Sequence, residues 1–217
     1  MTVWIGELQW RLLHGYEFKT NPVLEPLDHI ECRDALMNLD GSEASWPEAD
    51  VVVTNPPFVG DKKMRRELRD DYTEALRLTY KARVPGGADL VCYWFERARA
   101  QMDAGLLGSA GLVSTNTLPV GTKNKLVLER VLQGAAIFEA WRDLPWVNKG
   151  AAVRVALTGF SQTDKIDARL NGKSVVAIGA DLEARDTAVA TMEQSPKSLF
   201  SSSPMPQGPP RNRRNLT

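Results

Sequence analysis

Two hydrophobic periods take turns along this chain. Over residues 2–14, Val3, Trp4, Leu8, Leu12 and Leu13 recur near helical spacing and Gly15 offers a stop, which predicts an amphipathic helix. HIECRDAL (29–36) predicts a short strand running into an acidic turn. DVVVTN (50–55) is an apolar run between turn signals. Its three consecutive valines do not alternate with polar residues, which predicts a strand covered on both faces, as in a parallel sheet. KKMRRELRDDYTEALRLTY (62–80) predicts one charged helix with an apolar stripe of Met64, Leu68, Tyr72, Leu76 and Tyr80. Pro85-Gly86-Gly87 breaks the chain, and Asp89 is placed to cap a second helix running to Asp103. GLVSTN (111–116) predicts a strand, 124–133 a helix, and AAIFEAW (135–141) a strand. AAVRVALTGF (151–160) predicts a strand with Val153, Val155 and Leu157 on one face, and KSVVAIGADL (173–182) a last strand.

Strands separated by helices predict an α/β domain around a mostly parallel sheet. The two late strands, 135–141 and 151–160, have no long helix between them, which predicts an antiparallel pair at the sheet edge. The domain is expected over 1–182 and an extension over 183–217. From Ser195 the composition turns to serine, proline and arginine without an acid, so that tail is expected to be disordered.

Composition narrows the class without choosing a function. At 217 residues the chain is long enough for one domain with a sizeable core. Lys plus Arg and Asp plus Glu number 27 each, so any surface that attracts a polyanion must be local. Cys32 and Cys92 lack metal-like spacing and suit a reduced cytoplasmic protein, where both read as small buried hydrophobes. The two histidines, His14 and His29, leave little for a zinc site or a Ser-His-Asp triad, and no metal is expected. No apolar run is long enough to span a membrane, and Glu7 and Arg11 interrupt any leader pattern at the start.

The chemistry concentrates at Asn55-Pro56-Pro57-Phe58, directly after the apolar strand. Ligands of open α/β sheets bind at the carboxyl ends of strands. Both prolines fix φ and lack an N–H, and Pro56 also drives Asn55 into an extended conformation. The Asn55 side chain and the Pro56 carbonyl can then be aimed at one point, where both accept from an amino group. Two acceptors suit the two hydrogens of an aromatic –NH2 and turn its lone pair toward an electrophile without reorganisation during the reaction. Phe58 adds a ring for stacking. Extruding a base from a duplex costs a few kcal/mol, and stacking on an aromatic returns roughly 1–3 kcal/mol. A plain proline turn is the competing reading. Lys62, Lys63, Arg65 and Arg66 follow at once. They read equally well as contacts to phosphates or as a solvated helix face paired with Glu67, Asp70 and Asp71.

Asn-Pro-Pro-Phe after an apolar strand resembles the [DNS]-P-P-[YFW] signature of amino-group DNA methyltransferases. The longer run ADVVVTNPPFVGDKKMRREL, with RVPGGADLVCYWFERARA, AGLVSTNTL and PWVNKGAAVRVALTGF, resembles the large adenine methylases of restriction and phage-defence systems, the MmeI-like and DISARM-type enzymes. The resemblance spans about residues 2–182 and implies a Rossmann-like fold that uses S-adenosylmethionine. It implies a site-specific methyltransferase acting on the exocyclic amine of a flipped adenine in double-stranded DNA. Asn55 and Pro56 would bind the amine, Phe58 would stack on the base, and Pro57 would set the shape. Asp34, with Ala35 beside it, resembles the acidic position that accepts from the cofactor's adenine amine, although a turn or cap aspartate is the alternative. Trp141 or Trp146 would cover the other face of the base, against a core role for each. Gly105, Gly108 and Gly111 precede a strand rather than follow one. Gly179 and Asp181 lack a second close glycine, so no glycine-rich cofactor loop is legible. The expectation is therefore a catalytic core whose cofactor-loop side is incomplete and whose activity alone is open, with a complementing methylase, restriction or defence subunit as a partner. The alternatives are a non-catalytic DNA- or partner-binding fragment, or an amino-group methylase acting on RNA or protein.

Overall fold

The computed structural model describes residues 13, 15, 30–148, 151–162 and 167–186. The chain divides into two compact units, Met1–Asp34 and Ala35–Thr217. In the first, Leu13 is helical and Gly15 turns with φ +70°. The remainder of the expected 2–14 helix, and the tail beyond residue 186, lie outside the described residues. The strand expected over 29–36 does not form at residues 30–36. The first bridge joins Met37 to Glu43 instead. With no strand around it to pack on, Cys32 is exposed, against the expectation of a buried thiol.

The second unit is built on strands β1 (Ala49–Thr54), β2 (Leu107–Thr115), β3 (Ala136–Asn148), β4 (Ala151–Ser161), β5 (Ala168–Leu170) and β6 (Lys173–Val175). They form one sheet in the order β1-β2-β4-β3-β5-β6. β1 pairs parallel to β2 and β3 parallel to β5, while β4 runs antiparallel between β2 and β3. β1, β2, β3 and β5 therefore point one way, as expected, but inserting β4 makes most neighbouring pairs antiparallel. The β3–β4 pair is antiparallel as anticipated, yet it is internal, because β5 and β6 continue the sheet. The expected 173–182 strand is broken: β6 ends at Val175, and β7 (Ala177–Ile178) pairs separately with β8 (Ala184–Arg185).

β1 departs from its valine pattern. Among the described strands it lies at the sheet edge, and Val51 and Val53 are 56% and 82% exposed. Covering on both faces requires layers on both sides of a strand, and none of the described residues covers the Val51 and Val53 side chains. The β1–β2 contact is nonetheless tight. A Cβ at Gly108 would stand 2.7 Å from the Asp50 carbonyl oxygen, so only glycine lets the two backbones meet there.

The expected 62–80 helix is two helices, α1 (Asp61–Leu68) and α2 (Asp70–Thr79), parted by Arg69 at φ 74°, ψ 157°. The apolar stripe explains the break. Its members recur every four residues, and each such step rotates by roughly 40° on a 3.6-residue helix, so Met64 and Tyr80 would face roughly 160° apart on one straight helix. Breaking at Arg69 buries Met64, Leu76 and Tyr80 completely.

α3 (Val91–Asp103) is the central helix, with buried residues on most of its faces. Phe95 stacks on Phe160 of β4, and Tyr80 meets Tyr93 edge-on. Buried Glu96 accepts from Arg99 Nε and Nη2, both at 2.8 Å, which keeps its charge compensated and holds the Arg99 pKa above its ordinary value. Gln101 donates to the carbonyls of Trp46 and Pro47, and Trp46 Nε1 donates to that of Ala35 at 2.7 Å. α4 (Thr122–Val131) packs beside α3.

Two measurements check these elements. Arg69 occupies backbone space that is essentially reserved for glycine, at a cost of about 1–3 kcal/mol. Arg69→Gly is expected to raise the melting temperature by about 2–4 °C per kcal/mol recovered; a fall would show that Arg69 is unstrained. Cys92 is buried, and burial pushes its thiol pKa up. In the native protein at neutral pH a chromogenic disulfide reagent is expected to titrate Cys32 alone, with Cys92 reacting only after denaturation.

Candidate active site

The register of the sheet places the Asn55–Phe58 corner. Thr54 stands opposite Leu112, Thr115 opposite Val155, and Val155 opposite Leu144. The carboxyl ends of β1, β2 and β3 thus open onto one rim. That rim carries the corner, the turn that follows β2 at Asn116, and the outer end of β3 with Trp146.

Within the corner the two prolines divide the work. Pro56 is buried and anchors the turn, while Asn55, Pro57 and Phe58 are exposed, Phe58 at 40%. Among the described residues nothing hydrogen-bonds to the Asn55 side chain or to the Pro56 carbonyl. Within the described turn, the Val59 N–H donates to Pro57 O at 3.1 Å. Both acceptors proposed from the sequence are therefore uncommitted, beside an exposed aromatic ring.

The exit of the corner is held from two directions. Leu90 N–H donates to Val59 O at 2.9 Å. Asp61 N–H, at the first position of α1, donates to Asp89 Oδ1 at 3.0 Å. Asp89 does not cap its own helix with its side chain, as the sequence suggested, but caps α1. Asn124 of α4 fixes it in turn: Asn124 Nδ2 donates to Asp89 Oδ2 at 2.7 Å, and Asp89 N–H donates to Asn124 Oδ1 at 2.9 Å. Asp61 also pairs with Arg77 of α2. Sequence reasoning missed Asn124. Its signal was a polar residue, buried to 7% exposure, amid the Leu126 to Val131 apolar pattern of α4.

The other expected site residues separate. Lys62, Lys63, Arg65 and Arg66 are all exposed on α1. Arg65 pairs with Asp70 and Glu74 of α2 and Arg66 with Glu67, whereas Lys62 and Lys63 have no ion pair among the described residues. The solvated-face reading therefore fits the two arginines, and the two lysines stay available. Asp34 is exposed and lies in the first unit. Ala35 lines a cavity of about 180 Å³ in the second unit together with Trp46, Trp94, Val52 and Thr54. Trp141 is half-buried with its ring over Gly172, whose added Cβ would stand 3.3 Å from it. Trp146 is 43% exposed at the rim.

Behind the rim, Asn116 Nδ2 donates to Asp143 Oδ1 at 3.1 Å, and Arg154 pairs with the same carboxylate. The Arg154 guanidinium holds the Asp143 carboxyl below its ordinary pKa. Asp181, the acid near Gly179, accepts from Arg185 at 2.6 Å and from Glu183 N–H at 3.2 Å. That segment is a salt-bridged hairpin rather than an open loop. Among the described residues no three His, Cys, Asp or Glu side chains cluster as metal ligands. No helix among them is long and apolar enough to cross a membrane.

Comparison with known proteins bears on the fold and the family. DNA methyltransferase A of Bacillus subtilis (strain 168) is 26% identical over 178 residues, covering 76% of this chain and 19% of that protein. The structure of the Type IIL restriction-modification enzyme MmeI in complex with DNA superposes with a TM-score of 0.58 at 22% identity, covering 82% of this chain and 25% of MmeI. The chain thus spans about a fifth of the curated relative and a quarter of the matched structure. The superposition supports a Rossmann-like methyltransferase fold. Residues 1–171 match the family described as "MmeI, DNA-methyltransferase domain", and the chain belongs to that family.

Proposed function

We propose that this chain carries the catalytic corner of a site-specific adenine methyltransferase. The reaction moves a methyl group from S-adenosylmethionine to the exocyclic amine of a flipped adenine in double-stranded DNA, within a restriction-modification or phage-defence system. The observation that carries the reading is the uncommitted pair of acceptors, Asn55 Oδ1 and the Pro56 carbonyl, set beside the exposed Phe58 at the carboxyl rim of the sheet. Its family membership and the DNA in the MmeI complex support the substrate class.

The residues divide the work as follows. Phe58 stacks on the extruded base and offsets part of the unpairing cost. Asn55 Oδ1 and Pro56 O accept the two amine hydrogens and so direct the nitrogen lone pair away from the ring. When bound, the cofactor supplies a sulfonium-activated methyl group. The amine would give up its surplus proton to water only after the transfer, because the Asn55 amide oxygen is too weak a base to take it first. Trp146, exposed at the same rim, would cover the far face of the base. Lys62 and Lys63, exposed and without an ion pair among the described residues, would meet flanking phosphates, with Arg65 and Arg66 contributing only if their ion pairs open.

For the cofactor, the cavity beside Ala35 fits a purine ring. It is apolar, walled by Trp46 and Trp94, and reaches Thr54 immediately before the corner. Ala35 and the two tryptophans would hold the adenine end. No carboxylate or glycine-rich loop among the described residues lines that cavity, so the amino-acid end must be held by other groups.

Two predictions follow from this division. Asn55→Ala is expected to lower the methyl-transfer rate by about 10²–10³-fold, as losing one preorganised polar contact to the reacting group does elsewhere, with the melting temperature unchanged because the side chain is exposed. A rate within tenfold of wild type would remove Asn55 from the chemistry. Asn124→Ala leaves the Asp89 N–H and carboxylate short of a partner and is expected to cost about 1–3 kcal/mol in denaturant-measured stability. Its kcat should fall further than its KM changes, because the corner is mis-set rather than the DNA surface removed.

A further inference from the structure

A second polar site lies apart from the corner, and none of the proposed chemistry uses it. A cavity of about 370 Å³ is lined by Arg77 near the end of α2, Lys81 and Ala82 in the following turn, Gly86, Tyr93 of α3 and Arg130 of α4. No carboxylate lines it. The Arg77 Nε–H is buried and finds no acceptor among the described residues, although Nη2 of the same guanidinium pairs with Asp61. Lys81 and Arg130 have no acidic partner among those residues. Arg130 is instead locked in place, its Nη1 donating to the carbonyls of Ala82 at 2.6 Å and Arg83 at 2.8 Å. Lys123 Nζ donates to Gly86 O at 2.6 Å and adds a further positive charge beside the same turn.

Three features of this cavity are energetically costly. Ala82 is held at φ 67°, a left-handed conformation unfavourable for any residue with a Cβ. A buried N–H without an acceptor is destabilising. Lys81 and Arg130 bring two further positive charges beside Arg77, whose one acidic partner among the described residues is Asp61, and like charges repel one another. A tetrahedral oxyanion resolves the last two together, because it brings several acceptor oxygens and negative charge to a guanidinium, an ammonium and a second guanidinium. The neighbouring cations Arg83 and Arg97 differ in charge balance, being matched by Glu43 and Glu96, although Arg97 Nε also lacks an acceptor among the described residues.

We propose that this cavity is a phosphate site, with Arg77, Lys81 and Arg130 as its ligands. Two sources carry that chemistry: a free phosphate ion, or a phosphodiester of nucleic acid. The second source rests on the methyltransferase reading. It follows from the chain path, since Arg77 holds Asp61, the residue that starts α1 directly after the corner. A strand whose base occupies the corner would then place one of its phosphates against α2 and the turn beyond it.

The test uses the full chain with ¹⁵N-labelled arginine, reading the Nε–H signals by NMR, with that of Arg77 assigned through Arg77→Lys. Sodium phosphate is titrated against a matched chloride control, followed by a short DNA duplex. Phosphate is expected to move the Arg77 signal saturably. Lys81→Gln, which removes a charge but leaves the Arg130 brackets intact, should weaken that response about tenfold. If the duplex moves the same signal, the source is a phosphodiester, and the salt dependence of duplex binding should lose about 0.9 in log–log slope in Lys81→Gln. If phosphate moves the signal and the duplex does not, the site stands and takes free phosphate. An Arg77 signal that phosphate and duplex both leave in place, in a protein with an unaltered melting temperature, overturns the proposal. A duplex that binds nowhere on the chain counts against the methyltransferase reading, and the phosphate arm alone then decides this site.

Discussion

The carboxylate of Asp89 is held between two partners, and the geometry of the corner depends on both. Oδ1 accepts the N–H of Asp61, where α1 begins, and Oδ2 accepts the Asn124 amide from α4. Prolines stiffen Asn55–Phe58 internally, but a stiff turn still has to be aimed. Its entry is aimed by the parallel ladder of β1 on β2, where Gly108 lets the backbones approach. Its exit is aimed by Asp89 and by the Leu90 N–H on Val59 O. Helices from three places in the sequence thereby converge on one short loop. Preorganised polar groups act on a reacting centre only if they are fixed before the substrate arrives.

The same logic explains why the corner faces an open rim. Its two acceptors make no hydrogen bond to the described protein, which is a cost for a buried group but a small one for groups in contact with water. The polar links at the rim are spent elsewhere, between Asn116, Asp143 and Arg154, and they tie the ends of β2, β3 and β4 together. Fixed walls and uncommitted acceptors are the arrangement expected of a site that exchanges water for an amine.

Local chemistry was the most legible part of the sequence. Asn-Pro-Pro-Phe, its place after an apolar strand, and the β2, α4, β3 and β4 segments could all be read from residue type and period. Three features could not be read, each for a tertiary reason. The valines of β1 looked covered on both faces, but an edge position is set by strand order, which no local pattern encodes. The break at Arg69 hides in a sequence of good helix formers and shows only in the drift of a four-residue repeat. Asp89 was assigned to its own helix because capping is usually local, whereas here it caps a helix earlier in the chain. The basic run after the corner looked uniform. The fold divides it, because only Arg65 can reach Asp70 and Glu74 across the break.

The central claim is that Asn55 and Pro56 present two acceptors to a base amine. Nucleoside mass spectrometry tests it most directly, on duplex DNA incubated with the protein and isotopically labelled S-adenosylmethionine. The account predicts label on the exocyclic nitrogen of adenine. Label on a ring carbon, or a folded protein that binds the donor and the duplex and leaves every base amine unlabelled, would contradict it.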